Sequence, residues 1–90
     1  MRVKVVKRSY VGNILPKRAS DSHKGDNGRL LVVGGSERFV GAPALTALAA
    51  LKSGVDLAVV AAPELTAWSI NSFSPDLITV KLPGRQLMKG

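Results

Sequence analysis

Residues Ser22 to Gly54 read SHKGDNGRLLVVGGSERFVGAPALTALAALKSG. A basic turn, a short apolar strand, a glycine-bearing loop and an alanine-rich helix follow one another there. This order sets the carboxyl end of a strand against the amino end of a helix, which is where open α/β sheets hold ligands. Pro43 suits the first helical position, where the amide hydrogen it lacks has no intrahelical partner anyway. Gly54 is a natural left-handed stop. Gly34, Gly35, Ser36, Gly41 and Ala42 lie between strand and helix and are small enough for a ligand to touch backbone.

Leu30–Val33 (LLVV) is a continuous apolar run bounded by turn residues. Strands buried on both faces of a parallel sheet look like this. The helix expected over Pro43 to Lys52 or Ser53 is almost wholly apolar up to its last residues, Thr46 apart, a pattern of burial on most sides. Downstream, Asp56–Ala61 (DLAVVA) reads as a second buried strand. Pro63 and Glu64 open a shorter helix to about Ile70, with the carboxylate near the positive helix start. Asn71–Asp76 (NSFSPD) is a turn, and Leu77–Leu82 (LITVKL) is a third strand.

The order β-α-β-α-β with short connections predicts an α/β fold with parallel strands and right-handed crossovers. Three strands and two helices are too few to cover both faces of such a sheet, and at least one edge should be bare. Two accounts follow: a small domain that dimerises, or the opening portion of a larger α/β fold. The element count favours the second.

Upstream, Met1–Val6 alternates loosely, as a short edge strand would. Ser9–Leu15 has room for one or two helical turns, which Gly12 and Pro16 weaken. Residues 1–22 read as a basic lead-in and residues 85–90 as a polar tail. Asp26-Asn27-Gly28 is a turn by composition.

Ninety residues make one small domain or part of a larger one. Apolar residues at 46% and charged residues at 21% are ordinary for a globular protein. The absence of cysteine excludes disulfides and thiolate metal sites. One histidine and six carboxylates speak against a dedicated protein metal cage. The net charge is +7, with eight of the thirteen cationic residues in the first 29 positions. Only Tyr10 is interleaved with them, so a solvated arm fits better than a nucleic-acid surface. No apolar run reaches the ~18–20 residues of a membrane span, and no signal-peptide pattern opens the chain, so the expected setting is cytoplasmic.

The loop Gly34–Gly41 matches neither G-x-G-x-x-G nor a Walker A loop, since Gly41 is followed by Ala42-Pro43. Gly41 and Ala42 would let a ligand approach the N–H groups of Ala44 and Leu45; equally, these glycines serve only to turn the strand into its helix. Lys24 is placed to meet an anionic substrate, with Asp26 orienting it or capping the turn; a solvated turn with a local ion pair accounts for the same residues. His23 is a lone histidine before the first strand, at the end of the sheet opposite the expected crevice. Ser36 either touches a ligand or closes a turn, and nothing nearby would activate it as a nucleophile. Trp68 reads as core or interface.

His23-Lys24-Gly25-Asp26-Asn27-Gly28-Arg29, Gly34-Gly35-Ser36 and Gly41-Ala42-Pro43-Ala44-Leu45 together resemble the opening of the ADP/ATP-dependent NAD(P)H-hydrate dehydratases, repair enzymes with a ribokinase-like fold. The likeness continues through Leu51-Lys52-Ser53-Gly54, Ala62-Pro63-Glu64 and Ser74-Pro75-Asp76-Leu77, from about Leu15 to Gly84. Residues 23–84 would then be the amino-terminal part of a dehydratase domain, and Leu15-Pro16-Lys17-Arg18 fits its lead-in in bifunctional versions. The resemblance implies a lyase that removes water from hydrated NADH or NADPH, driven by ADP or ATP with Mg²⁺. It carries substrate contact to Gly41, Ala42 and Pro43, with Ser36 and Lys24 as second-tier contacts.

The family's catalytic aspartate, in a G-x-G-D motif, and its phosphate-gripping loop lie further downstream than this chain extends. Asp26 and Asp76 stand in other motifs and do not inherit that role. The resemblance therefore implies a truncated or split dehydratase, inactive alone, whose partner is a complementary chain or another copy of itself. A non-catalytic self-associating module and a fragment of a ribokinase-like small-molecule kinase are the alternatives.

Overall fold

A computed structural model of the chain describes residues 2–15, 17–18 and 20–84. The expected tail, 85–90, lies outside them, as do Met1 and Pro16. The elements are α1 (Arg8–Ile14), β1 (Arg29–Val33), α2 (Gly41–Ser53), β2 (Leu57–Pro63), α3 (Glu64–Asn71) and β3 (Ile78–Leu82). The three strands form one parallel sheet in the order β1-β2-β3. Residues 2–7 are without regular structure, so the expected edge strand there does not form. α1 forms where one or two helical turns were expected, and it buries no side chain.

Both helices lie on the same face of the sheet. α2 packs on β1 and β2, and α3 on β2 and β3. The core joins Ala44 and Ala47 of α2 and Ala67 and Ile70 of α3 to Ala58, Val60 and Ala62, with Leu77 beside them. Successive strand side chains point to opposite faces, so this alternate set on β2 defines the helix side. Two right-handed crossovers stepping in one direction put both helices there. Alanine dominates the contact, which lets α2 and α3 approach the strands closely.

β1 departs from the expectation of burial on both faces. Its partner rows on the side away from the helices are Leu31–Val59–Ile78 and Val33–Ala61–Val80. Leu31 is 61% and Val33 60% exposed, with Ile78 at 43% and Val80 at 47%. An apolar run records that a strand is meant to be covered; the cover itself is absent from the described residues. α2 shows the same thing, since Leu45 on its outer side is exposed while Pro43, Ala44 and Ala47 are buried.

α2 also begins two residues before Pro43, at Gly41. Proline is tolerated anywhere in the first turn, where amide hydrogens have no intrahelical acceptor. At its other end, Gly54 adopts φ 115° and its N–H closes the helix onto Ala50 and Leu51 carbonyls, a left-handed stop of the kind expected.

Candidate functional site

At the carboxyl end of β1 the chain crosses Gly34-Gly35 and makes a tight loop before entering α2. Ser36 and Phe39 exchange backbone hydrogen bonds, with Ser36 N–H to Phe39 O at 3.2 Å and Phe39 N–H to Ser36 O at 3.1 Å. The Ser36 hydroxyl oxygen accepts from the N–H groups of Arg38 and Phe39 at 3.3 and 3.2 Å. Ser36 is therefore a loop-closing residue whose hydroxyl hydrogen is not used by those two bonds.

Gly35 sits at φ 89°, and a Cβ there would lie 3.0 Å from Thr66 Cγ2 and 3.2 Å from Pro43 Cγ. The glycine thus brings the β1 loop against the starts of both α2 and α3. Pro43 is buried in this contact, whereas Gly41 and Ala42 are exposed. A helix that begins at Gly41 uses the Ala44 and Leu45 N–H groups in its own ladder. This corrects the expectation that those two face a ligand: the donors left to be met from outside the helix are those of Gly41 and Ala42, and no side chain caps them. Thr66, 1% exposed, carries the buried side-chain oxygen that lacks a hydrogen-bond partner among the described residues. It stands in the first turn of α3, beside Gly35.

Lys24 lies elsewhere. It lines a cavity of about 210 Å³ with Leu51, Asp56, Leu57, Asp76 and Ile78, at the amino end of the sheet. Five residues of β1, roughly 16 Å, separate it from Ser36, Gly41, Ala42 and Pro43. Asp26 caps its own turn, its carboxylate accepting from His23 N–H at 2.7 Å. Trp68 is neither core nor covered; its exposed ring lies under Lys81 Nζ at 4.1 Å from the centroid.

The residue that sequence reasoning missed is Asp56, just before β2. Its carboxylate accepts from the Gly25 and Asn27 N–H groups, each at 3.0 Å, and from Asn27 Nδ2 at 3.1 Å. Its other oxygen takes Arg18, which also donates to Gly54 O at 2.8 Å. One side chain, 11% exposed, thereby ties the lead-in, the 23–28 turn and the end of α2 to the sheet. Nothing in DNG or GVD announces a partner some thirty residues away.

The Asn27 backbone N–H, then Arg18, hold the Asp56 carboxyl down from 3.8 to about 2. A folded pKa below the unfolded one gives stability that is present above about pH 4 and lost as pH falls through about 2. Asp56→Asn is accordingly expected to lower the melting temperature at neutral pH. The gap between the variant and the parent should close between pH 4 and pH 2 in thermal melts; a constant gap would refute the linkage.

The parallel sheet, the β1 loop and the α2 start define an α/β layer, the class of fold in which ligands are held at the carboxyl ends of the strands. Residues 30–89 match the family model described as NAD(P)H-hydrate dehydratase. The chain belongs to that family. It is 42% identical over 90 residues to the ADP-dependent (S)-NAD(P)H-hydrate dehydratase of Nitrosopumilus maritimus, covering all of this chain and 31% of that enzyme. It is 56% identical over 70 residues to the bifunctional NAD(P)H-hydrate repair enzyme of Pyrobaculum aerophilum, covering 78% of this chain and 14% of that one. The crystal structure of hypothetical protein SMU.573 from Streptococcus mutans superposes with a TM-score of 0.75 at 29% identity, over 87% of this chain and 28% of that one. The chain thus spans a third or less of the proteins it matches. Among the described residues, no helix is long and apolar enough to cross a membrane.

Proposed function

We propose that this chain supplies the substrate-side portion of an NAD(P)H-hydrate dehydratase, a lyase that returns hydrated NADH or NADPH to the reduced nucleotide at the expense of ADP or ATP with Mg²⁺. The observation that carries the reading is the β1 loop seated on the α2 start, with the Gly41 and Ala42 amide hydrogens turned out of the helix ladder. A helix start of this kind suits a polar or phosphate-bearing ligand. Gly41 and Ala42 bind it through backbone, Pro43 and Gly35 hold the crevice wall, and the Ser36 hydroxyl hydrogen is the further donor. Lys24, a strand length away, is left out of this crevice. Cytoplasmic action on a soluble nucleotide agrees with the chain's composition.

The groups assigned to ligand contact are amide hydrogens, a hydroxyl and apolar surface; the loop also carries one carboxylate, Glu37, fewer oxygens than the octahedral shell Mg²⁺ demands. The described residues also hold no group of three or more His, Cys, Asp or Glu placed for a metal. No step through metal or nucleotide is therefore assigned to these residues; their part is to bind and orient the hydrated nicotinamide nucleotide.

The purified 90-residue chain, given hydrated NADPH, ATP or ADP and Mg²⁺, is expected to regenerate NADPH no faster than buffer. Supplying a polypeptide with the rest of a dehydratase should restore turnover. In that restored enzyme Gly41→Asp should raise KM at least ~10-fold by placing negative charge against a phosphate-bearing substrate. A Cβ at Gly41 meets no neighbour within 4 Å, and a carboxylate favours the helix start, so misfolding would not explain the loss. Turnover by the 90-residue chain alone would overturn the reading.

A further inference from the structure

Thr66 buries a hydroxyl that nothing around it satisfies: the residue is 1% exposed, and Oγ1 meets no hydrogen-bond partner among the described residues. Its methyl, not its hydroxyl, faces the β1 loop, since Cγ2 is the atom 3.0 Å from where a Gly35 Cβ would stand. A valine would fill the same space without stranding a polar group, so the hydroxyl calls for a partner from outside the chain. Space for one is present. Thr66 lines a cavity of about 280 Å³ with Glu37 and Val40 of the β1 loop and Leu65 and Ser69 of α3. That volume stands at the small end of ligand pockets, room for one substituted ring rather than a whole dinucleotide.

The walls decide what fits. Val40 and Leu65 are apolar, and none of the described lining residues is cationic, so a phosphate there would lose its water without gaining a counter-charge. The polar groups favour a donor. Ser69 gives its hydroxyl hydrogen to Leu65 O at 3.1 Å, which leaves its oxygen to accept, and a carboxylate such as that of Glu37 only accepts. The Thr66 oxygen adds its own lone pairs. An uncharged ring carrying an N–H₂ group, as a carboxamide does, suits such walls. The phosphate end falls to the Gly41 and Ala42 amides, which open α2 directly after Val40. We infer that this cavity is a subsite for the carboxamide-bearing ring of a nicotinamide nucleotide, with Thr66 Oγ1 accepting from its N–H₂. The inference rests on the family reading above and adds to it a side-chain contact from α3.

The isotope-labelled 90-residue chain is to be titrated, with its amide resonances followed by NMR, with reduced nicotinamide mononucleotide and in parallel with AMP, which has a phosphate but no carboxamide. Both ligands are expected to move the resonances of Gly41 and Ala42, and only the nicotinamide nucleotide those of Val40, Thr66 and Ser69. Thr66→Val should weaken binding of reduced nicotinamide mononucleotide roughly 2–10-fold, the worth of one neutral hydrogen bond, and leave AMP binding unchanged. It should melt no lower than the parent, since no internal hydrogen bond is removed. Thr66→Ser, which keeps the hydroxyl, should bind the nicotinamide nucleotide more tightly than Thr66→Val does.

A Thr66→Val chain that binds reduced nicotinamide mononucleotide like the parent would overturn the inference, as would a nicotinamide nucleotide that does not bind or that moves only the resonances AMP moves. So would a Thr66→Val chain that melts lower than the parent, because the hydroxyl would then have an internal partner. The expected pattern in a chain whose restored enzyme performs no dehydration would leave the subsite standing and overturn the proposed function instead. Loss of the subsite, with Gly41→Asp still raising KM in the restored enzyme, would do the reverse.

Discussion

Gly35→Val is expected to destabilise the fold by roughly 2–5 kcal/mol, from a left-handed backbone without glycine plus overpacking. The two costs have separate sources. At φ 89° an L side chain is strained whatever the space around it. The new Cβ would then press on Thr66 Cγ2 at 3.0 Å and Pro43 Cγ at 3.2 Å, with Phe39 O at 3.4 Å. None of these is the loose end of a flexible chain: Thr66 and Pro43 are buried in the first turns of α3 and α2, and the third is backbone. A domain of this length has roughly 5–13 kcal/mol in all, so the variant should melt at least ~8 °C lower. Gly12→Ala serves as the control, because nothing lies within 4 Å of that position. A Gly35 variant that melts with the parent would mean that the loop does not seat on the two helix starts, and the crevice would go with it.

Ile70→Ala is the second large effect, expected at about 2–5 kcal/mol from lost transfer energy and the cavity left behind. Ile70 is fully buried and is among the largest fully buried side chains. The core cluster it belongs to is rich in alanine, with Ala44, Ala47, Ala58, Ala62 and Ala67, which have no longer side chains to fill the gap. The loss should appear as a lower urea midpoint at unchanged slope. Leu45→Ala, on the exposed side of α2, should cost far less. Equal losses at the two positions would mean that the core is not where the alternate residues of β2 place it.

Much of the architecture is legible in one dimension. LLVV, DLAVVA and LITVKL each lie within a residue or two of a strand, since short apolar runs bounded by Gly, Pro, Asn and Asp leave few other readings. The α2 stop at Gly54 depends only on local backbone freedom and was equally readable. The α2 start was not, because a proline is compatible with several first-turn positions and the loop's hydrogen bonds decide among them. The crevice was legible as a place, β1 into α2, but the donors within it shift with the true helix start.

Asp56 was invisible as a tie-point. A carboxylate's partners at Arg18, Gly25 and Asn27 are set by how the turn folds back over the strand ends, not by spacing along the chain. The orphaned Thr66 oxygen is likewise a property of packing, since hydroxyl satisfaction depends on which atoms surround it.

By itself the sequence determined the parallel β-α-β-α-β order, the kinship with the dehydratases and the shortage of elements to cover a sheet. Those follow from local periodicity, ordered motifs and counting. Only the tertiary structure decided which face is left bare and that Asp56 binds the lead-in to the core. Each of these depends on the hand of the crossovers and on strand register, which bring distant residues together in space and leave no trace in their neighbours along the chain.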